Sequence, residues 1–135
     1  MESDFSIHYL DRSKKLLMTE CKPISTKKYE QLNEALRIQK YILIYSPSYW
    51  LLDLRRVHLE AHPADIVKSV SNWLSFLKAS SIIKIAYVTS PKLPSTQKFL
   101  SGLIQEITEV DSDNGIATSI FENKQQAETW LLSCN

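Results

Sequence analysis

The ionisable side chains that could bind or react with a ligand are concentrated between Asp53 and His62. Asp53, Arg55 and Arg56 stand at the end of an apolar run, residues 49–54, that is typical of a buried strand. Ligands of open α/β sheets bind outside the carboxyl ends of the strands. Two guanidinium groups at that edge would suit an anion, and a solvated group of ion pairs is the alternative interpretation.

His58, Glu60 and His62 form the pattern H-x-E-x-H. Zinc proteases instead carry H-E-x-x-H, in which both histidines share one face of a helix. Pro63 suits the first turn of a helix, so His58 and His62 are not expected on one helix. We interpret both histidines as loop or helix-cap residues that belong to an interaction or anion-binding region, and we predict no metal site and no cofactor.

Nothing else in the sequence predicts catalysis. No serine or cysteine lies in a recognisable nucleophile motif. The two glycines, Gly102 and Gly115, are too few and too distant for a dinucleotide fingerprint or a phosphate-binding loop. An enzyme that uses Asp53, His58 and His62 is therefore the weakest hypothesis, and we expect no catalytic residue and no enzymatic activity.

Four aromatic residues, Tyr41, Tyr45, Tyr49 and Trp50, are candidates for a binding interface. The three tyrosines recur at every fourth residue, which suggests one shared surface. Aromatic side chains are enriched at the centres of protein interfaces. Packing inside the core and its loops is the alternative interpretation.

The composition is typical of a single globular domain over residues 1–135. Hydrophobic residues make up 44% and charged residues 23%, which excludes a disordered or fibrous chain. The net charge of +1 lacks the basic excess of a nucleic-acid-binding domain. We expect no secretory signal and no membrane span. Cys21 and Cys134 form no pair motif and are interpreted as free thiols of a cytoplasmic protein.

Charge is unevenly distributed along the chain. Residues 12–40 contain eight basic and three acidic residues, a net charge of +5, whereas residues 101–135 contain one basic and six acidic residues, a net charge of −5. Such patches are usually solvated, but they can also orient a protein partner or a second copy of the chain.

Periodicity and turn residues predict the element order β-β-α-β-α-β-α-β-α. The predicted strands are residues 5–10, 16–22, 49–54, 82–88 and 117–121. The predicted helices are residues 26–40, 63–77, 95–107 and 123–131, the last capped by Asn123 with Gln126. Gly102 lies inside the third helix, where its small size is expected to matter. Alternating strands and helices predict a mostly parallel five-stranded sheet with right-handed crossovers and an antiparallel first edge strand.

Three stretches resemble the SpoIIAA-like, or STAS-like, group of bacterial domains (the STAS/SEC14 group). Residues 51–55, Leu-Leu-Asp-Leu-Arg, resemble its central strand, and residues 85–88, Ile-Ala-Tyr-Val, resemble its next strand. Residues 120–121, Ile-Phe, followed by residues 126–131, Gln-Ala-Glu-Thr-Trp-Leu, resemble its closing strand and helix. The resemblance implies a single STAS-like α/β domain.

Anti-sigma-factor antagonists of this group carry an Asp-Ser pair whose serine is phosphorylated at a helix N-terminus. The corresponding positions here, by spacing from Asp53, are Ala61 and His62. Because neither residue has a hydroxyl group, the resemblance does not extend to that switch.

Two functional hypotheses follow. The first is a non-enzymatic STAS-like protein-interaction or regulatory module, which binds a protein partner or forms a homodimer through the region around the Pro63 helix. The second is a carrier that holds a small molecule or a lipid in an apolar pocket, because the strands at residues 49–54 and 82–88 are apolar on both faces.

Overall fold

A computed structural model of the protein describes residues 6–22, 28–56, 75–110 and 115–133. Within these ranges the strands are β1 (Ser6–Asp11), β2 (Leu16–Cys21), β3 (Tyr49–Asp53), β4 (Lys84–Val88) and β5 (Ala117–Phe121). The helices are α1 (Lys28–Tyr45), α2 (residues 75–79), α3 (Pro94–Val110) and α4 (Lys124–Leu131).

The five strands form one sheet in the order β1-β2-β3-β4-β5. β1 pairs with β2 in an antiparallel hairpin, and the three other pairings are parallel. The α/β class, the mixed five-stranded sheet and the four helices confirm the predicted fold class.

The strand order explains where the first three helices lie. Each parallel strand is added on the same side of the previous one, so right-handed crossovers place α1, α2 and α3 on one face of the sheet. The core on that face is built from sheet and helix side chains that are almost fully buried: Leu17, Trp50, Ile85, Ile42, Leu77 and Leu100. We call this side of the sheet the crossover face.

The opposite face of the sheet is covered by α4. Leu51, Ala86 and Val88 of the central strands pack there against Ala127 and Leu131, all of them essentially inaccessible to solvent. The helix begins where predicted, because the Asn123 side chain accepts a hydrogen bond of 3.1 Å from the backbone N–H of Gln126. Both faces of the sheet therefore carry helices in the described part of the chain. We call this side the α4 face.

Helix α1 extends further than the sequence pattern predicts. It ends at Tyr45 rather than at Lys40. The sequence pattern does not predict this extension, because residues 41–45, Tyr-Ile-Leu-Ile-Tyr, are apolar throughout and show no helical periodicity. Ser46 then leaves the helix with a positive φ of 48°. The predicted helix at residues 63–77 lies outside the described residues except for its last three, residues 75–77.

Close packing does not explain Gly102 in α3. A Cβ atom added at this position would meet no atom of the described residues within 4 Å. Gly115, before β5, has a φ of 77°, which favours glycine on conformational grounds. The expectation that small size matters at Gly102 is thus wrong for the packing that is described.

Candidate functional site

Asp53 and Arg55 form a clamp at the carboxyl end of β3. Asp53 is the last residue of the strand, lies on the α4 face and is only 4% exposed. One of its oxygens, Oδ1, accepts hydrogen bonds from the Arg55 backbone N–H at 3.1 Å and from Arg55 Nε at 2.9 Å. The other oxygen, Oδ2, accepts one from Arg55 Nη2 at 2.7 Å. The guanidinium therefore forms a bidentate ion pair with both carboxylate oxygens, in the fork geometry that only arginine provides.

The clamp fixes the charge of both groups. Burial by itself raises the pKa of Asp53, but the hydrogen bonds from Arg55 and the charges of Arg55 and Lys124 outweigh it, so the pKa lies below its ordinary value. The same hydrogen bond to Asp53 raises the pKa of Arg55. Asp53 thus stays ionised near neutral pH and is unsuited to take or give a proton there.

The structure contains the ion pair that the sequence left as an alternative to anion binding. The donors of Arg55 that face Asp53 are engaged, whereas Arg56 is exposed beside them. The exposed face of Arg55 and the whole of Arg56 thus remain as the cationic surface of this edge.

Further polar side chains extend the carboxyl edge past β4 and β5. Gln97 of α3 donates from Nε2 to Thr89 Oγ1 and to Glu122 Oε1, each at 3.2 Å. Thr89 directly follows β4 and Glu122 directly follows β5. Gln97 therefore joins the ends of β4 and β5, and the Asp53–Arg55 clamp lies at the end of the neighbouring strand β3. We call the polar residues at these three strand ends the carboxyl rim: Asp53, Arg55, Arg56, Thr89, Gln97 and Glu122.

The remaining charged residues of the predicted interaction region cannot be placed on this rim. His58 and His62, together with Glu60 and Pro63, lie outside the described residues. Within the described ranges, no cluster of three or more His, Cys, Asp or Glu side chains could hold a metal ion.

The four candidate interface aromatics do not share one surface. Tyr41 and Tyr45 lie together on α1, with ring centroids 4.6 Å apart. Trp50 is buried in the core of the crossover face, whereas Tyr49 packs on the α4 face. The regular spacing fails at Tyr49 because the chain changes there from a helix to a strand.

A buried polar network under α1 was not identified from the sequence. His8 and Thr19 are almost fully buried on the crossover face, and His8 Nδ1 lies 2.9 Å from Thr19 Oγ1. The same hydroxyl accepts a hydrogen bond of 3.0 Å from Trp50 Nε1. The Tyr41 ring stacks on His8 at 5.6 Å. Alternation along the hairpin was the available signal, because it pairs His8 with Thr19 on one face.

Lys84 was likewise missed as a helix-capping residue. Its Nζ donates to the carbonyl oxygens of Trp130 at 3.2 Å and Ser133 at 3.1 Å, at the carboxyl end of α4. It also lies 5.2 Å from the centroid of the Trp130 ring. A cation suits the negative end of a helix, so Lys84 anchors α4 to β4.

Two neighbouring clefts lie at the carboxyl end of α1, and both open to solvent. One has a volume of about 490 Å³ and is lined by Leu10, Arg12, Lys15, Ile44, Tyr45 and Ser46. The other has a volume of about 300 Å³ and is lined by Arg37, Lys40, Tyr41, Ile44 and Tyr45. We call them the Tyr45 clefts, because this side chain borders both. Among the described residues, each cleft is lined by two cationic side chains and by no carboxylate.

Cys21, the one cysteine within the described ranges, is partly buried and does not take part in a disulfide there, and Cys134 lies outside those ranges. None of the described helices is both long enough and apolar enough to cross a membrane.

Comparison with known proteins assigns no family. No protein-family model matches the chain, and no curated protein matches it.

Proposed function

We propose that the chain is a non-enzymatic interaction or regulatory module of the STAS-like class, and that it binds a protein partner or a second copy of itself through the carboxyl rim. The support comes first from the fold, which has the element order that the sequence resemblance implies. That order places the ends of β3, β4 and β5 side by side at one edge of the domain.

The Asp53–Arg55 clamp is the observation that carries the proposal. A catalytic carboxylate needs access to a substrate and a pKa suited to proton transfer. Asp53 instead is buried, ionised and held on both oxygens. The clamp holds the Arg55 side chain in one orientation, and that side chain remains 44% exposed at the surface. Arginine is enriched among the hot-spot residues of protein interfaces, and a side chain that is already held in place loses less entropy on binding.

The carrier hypothesis has less support from the described residues. A carrier encloses most of its ligand in a cavity with a mainly apolar lining. The Tyr45 clefts are instead open grooves with two cations each. The core side chains that line both faces of β3 and β4 are packed against helices.

Native mass spectrometry of the protein purified gently from its own host tests the proposal. The wild-type protein is expected to carry a second copy or another protein. The variant Arg56→Glu reverses an exposed charge on the rim and leaves the clamp intact, so it is expected to weaken that complex at least tenfold, equivalent to ~1.4 kcal/mol.

Lys98→Glu, an exposed position on α3, is the matched control and is expected to keep the complex. A bare monomer at every concentration would contradict the proposal. A bound small molecule that leaves on denaturation would favour the carrier instead.

A further inference from the structure

The outer surface of α1 over residues 36–45 is unusually apolar for a helix that faces solvent. Leu36 is 55% exposed, and Leu43 and Ile44 are each 62% exposed. Their spacing places these three side chains on one side of the helix, together with the exposed Lys40. Ile38 and Ile42 of the same helix pack into the core on the opposite side. We call the four exposed residues the outer face of α1.

A helix that is apolar on two sides is normally covered on both. Exposed apolar patches on proteins mark sites of interaction with a partner or with a membrane. The outer face of α1 is therefore expected to have an occupant, and the charges around it indicate what kind.

The surroundings of the outer face are positively charged. Lys40 lies within it, and Arg37 lines the adjacent cleft. On the far side of Tyr45, the other cleft adds Arg12 and Lys15 from the β1–β2 turn, with the Arg12 guanidinium 5.6 Å from the Tyr45 ring. No carboxylate is among the described residues that line the Tyr45 clefts, so this surface is complementary to an anionic occupant.

A second copy of the chain fits this surface poorly. A two-fold contact through the outer face would bring each Lys40, with its flanking cations, against the same group of the other copy. A bilayer with anionic lipids has no such conflict. Aliphatic side chains of a helix insert into a bilayer without the need for a preformed groove, and the headgroup phosphates attract lysine and arginine.

We propose that the outer face of α1 docks the protein on the surface of an anionic membrane. Leu36, Leu43 and Ile44 enter the headgroup region, with the helix lying in the plane of the membrane. The cations of the Tyr45 clefts contact lipid phosphates, and the Tyr45 ring lies at the polar boundary, where tyrosine is enriched. This surface is distinct from the carboxyl rim, so the proposal does not depend on the function proposed above.

Co-sedimentation with lipid vesicles tests the proposal. One set of vesicles is phosphatidylcholine alone, and the other contains about one-third phosphatidylserine, which supplies the negative surface potential. Wild-type protein is expected to bind the anionic vesicles at least tenfold more tightly, and the affinity is expected to fall as salt is raised.

Two variants separate the apolar and the electrostatic contributions. The double variant Leu43→Gln with Ile44→Gln changes only exposed side chains and is expected to weaken binding at least tenfold. Lys40→Glu is expected to weaken binding and to reduce its salt dependence. The matched controls are Tyr9→Gln, a half-exposed aromatic on β1, and Lys98→Glu on α3, and both are expected to bind as the wild type does.

Circular dichroism establishes that each variant is folded before binding is measured. Absence of binding to the anionic vesicles would overturn the proposal, and so would equal binding to both kinds of vesicle. Self-association that the double variant abolishes, without vesicle binding, would overturn it as well and would assign the outer face to a second copy.

Discussion

At the scale of single residues, the clamp between Asp53 and Arg55 shows how one strand end holds a buried charge. Transfer of a carboxylate out of water is costly unless hydrogen bonds and an opposite charge replace the lost solvation. Arg55 supplies three hydrogen bonds and a positive charge within two residues of Asp53. The pair is therefore stable in place, but removal of either partner leaves the other poorly compensated.

Asp53→Asn keeps the shape of the side chain and removes its charge. We expect the free energy of unfolding to fall by about 1–2 kcal/mol near neutral pH, because charge-assisted hydrogen bonds to a buried group are lost. The partial exposure of Arg55 keeps the loss at the lower end, since solvent screens the pair. Urea denaturation measures the change. Glu122→Gln, on an exposed carboxylate of the same rim, is the control and is expected to change stability little.

The same variant gives a pH dependence of known sign. The pKa of Asp53 in the folded protein lies below its ordinary value of 3.8. Its contribution is therefore complete well above that value and is lost as the pH falls through 3.8 and then through the lower folded pKa. The stability difference between wild type and Asp53→Asn should accordingly shrink on acidification. A difference that stays constant or grows toward low pH would contradict this account of the clamp.

The sequence could locate this site but not its internal contacts. The apolar run that ends at Asp53 predicts a strand end, and the position of Arg55 and Arg56 follows from it. Whether Arg55 turns toward Asp53 or toward a ligand depends on the path of the chain after the strand, which no pattern encodes. The contact of His8 with Thr19 depends in the same way on the register of the hairpin.

At the scale of elements, the sequence predicted the strands best where turn and cap residues bound them. The clearest case is β5, Ala117–Phe121, which has the predicted bounds and lies between the turn at Gly115 and the helix cap at Asn123. The end of α1 was missed because its last residues face the core on one side and solvent on the other, and are apolar on both. Periodicity is lost at such positions, so the missing signal itself marks the outer face of α1.

Helix α3 offers a stabilising substitution at Gly102. Glycine inside a helix costs up to about 1 kcal/mol relative to alanine, because it gains freedom in the unfolded chain. No described atom obstructs a Cβ at this position. Gly102→Ala is therefore expected to raise the free energy of unfolding by about 0.5–1 kcal/mol, measured by urea denaturation.

Gly115→Ala is the matched control for that substitution. It also meets no described atom, but its φ of 77° is unfavourable for alanine, so it is expected to destabilise the protein by about 1 kcal/mol. Opposite signs at the two glycines would support backbone conformation as the cause. A loss of stability in Gly102→Ala would mean that the position is constrained in a way the described packing does not reveal.

At the scale of the whole molecule, the two faces of the sheet are covered unequally. Three crossover helices pack on one face because every right-handed connection proceeds in the same direction. Within the described ranges, α4 alone covers the other face, anchored at its start by the Asn123 cap and at its end by Lys84. The sequence left the coverage of the faces undecided, since apolar strands require a cover but do not specify which helix provides it.

Leu131 is the side chain on which the α4 face should depend most. It is fully buried between the last turn of α4 and the central strands, in a core that also contains Leu16 and Leu51. Leu131→Ala is expected to lower the free energy of unfolding by about 2–5 kcal/mol, since the cavity adds to the lost burial. Gln125→Ala, on the exposed side of the same helix, should change it by less than about 0.5 kcal/mol. Because α4 closes one of the two cores in the described part of the chain, far-ultraviolet and near-ultraviolet circular dichroism should report one coincident unfolding transition. If near-ultraviolet signals are lost well before the sheet unfolds, α4 is a separable element and the two faces are not one cooperative unit.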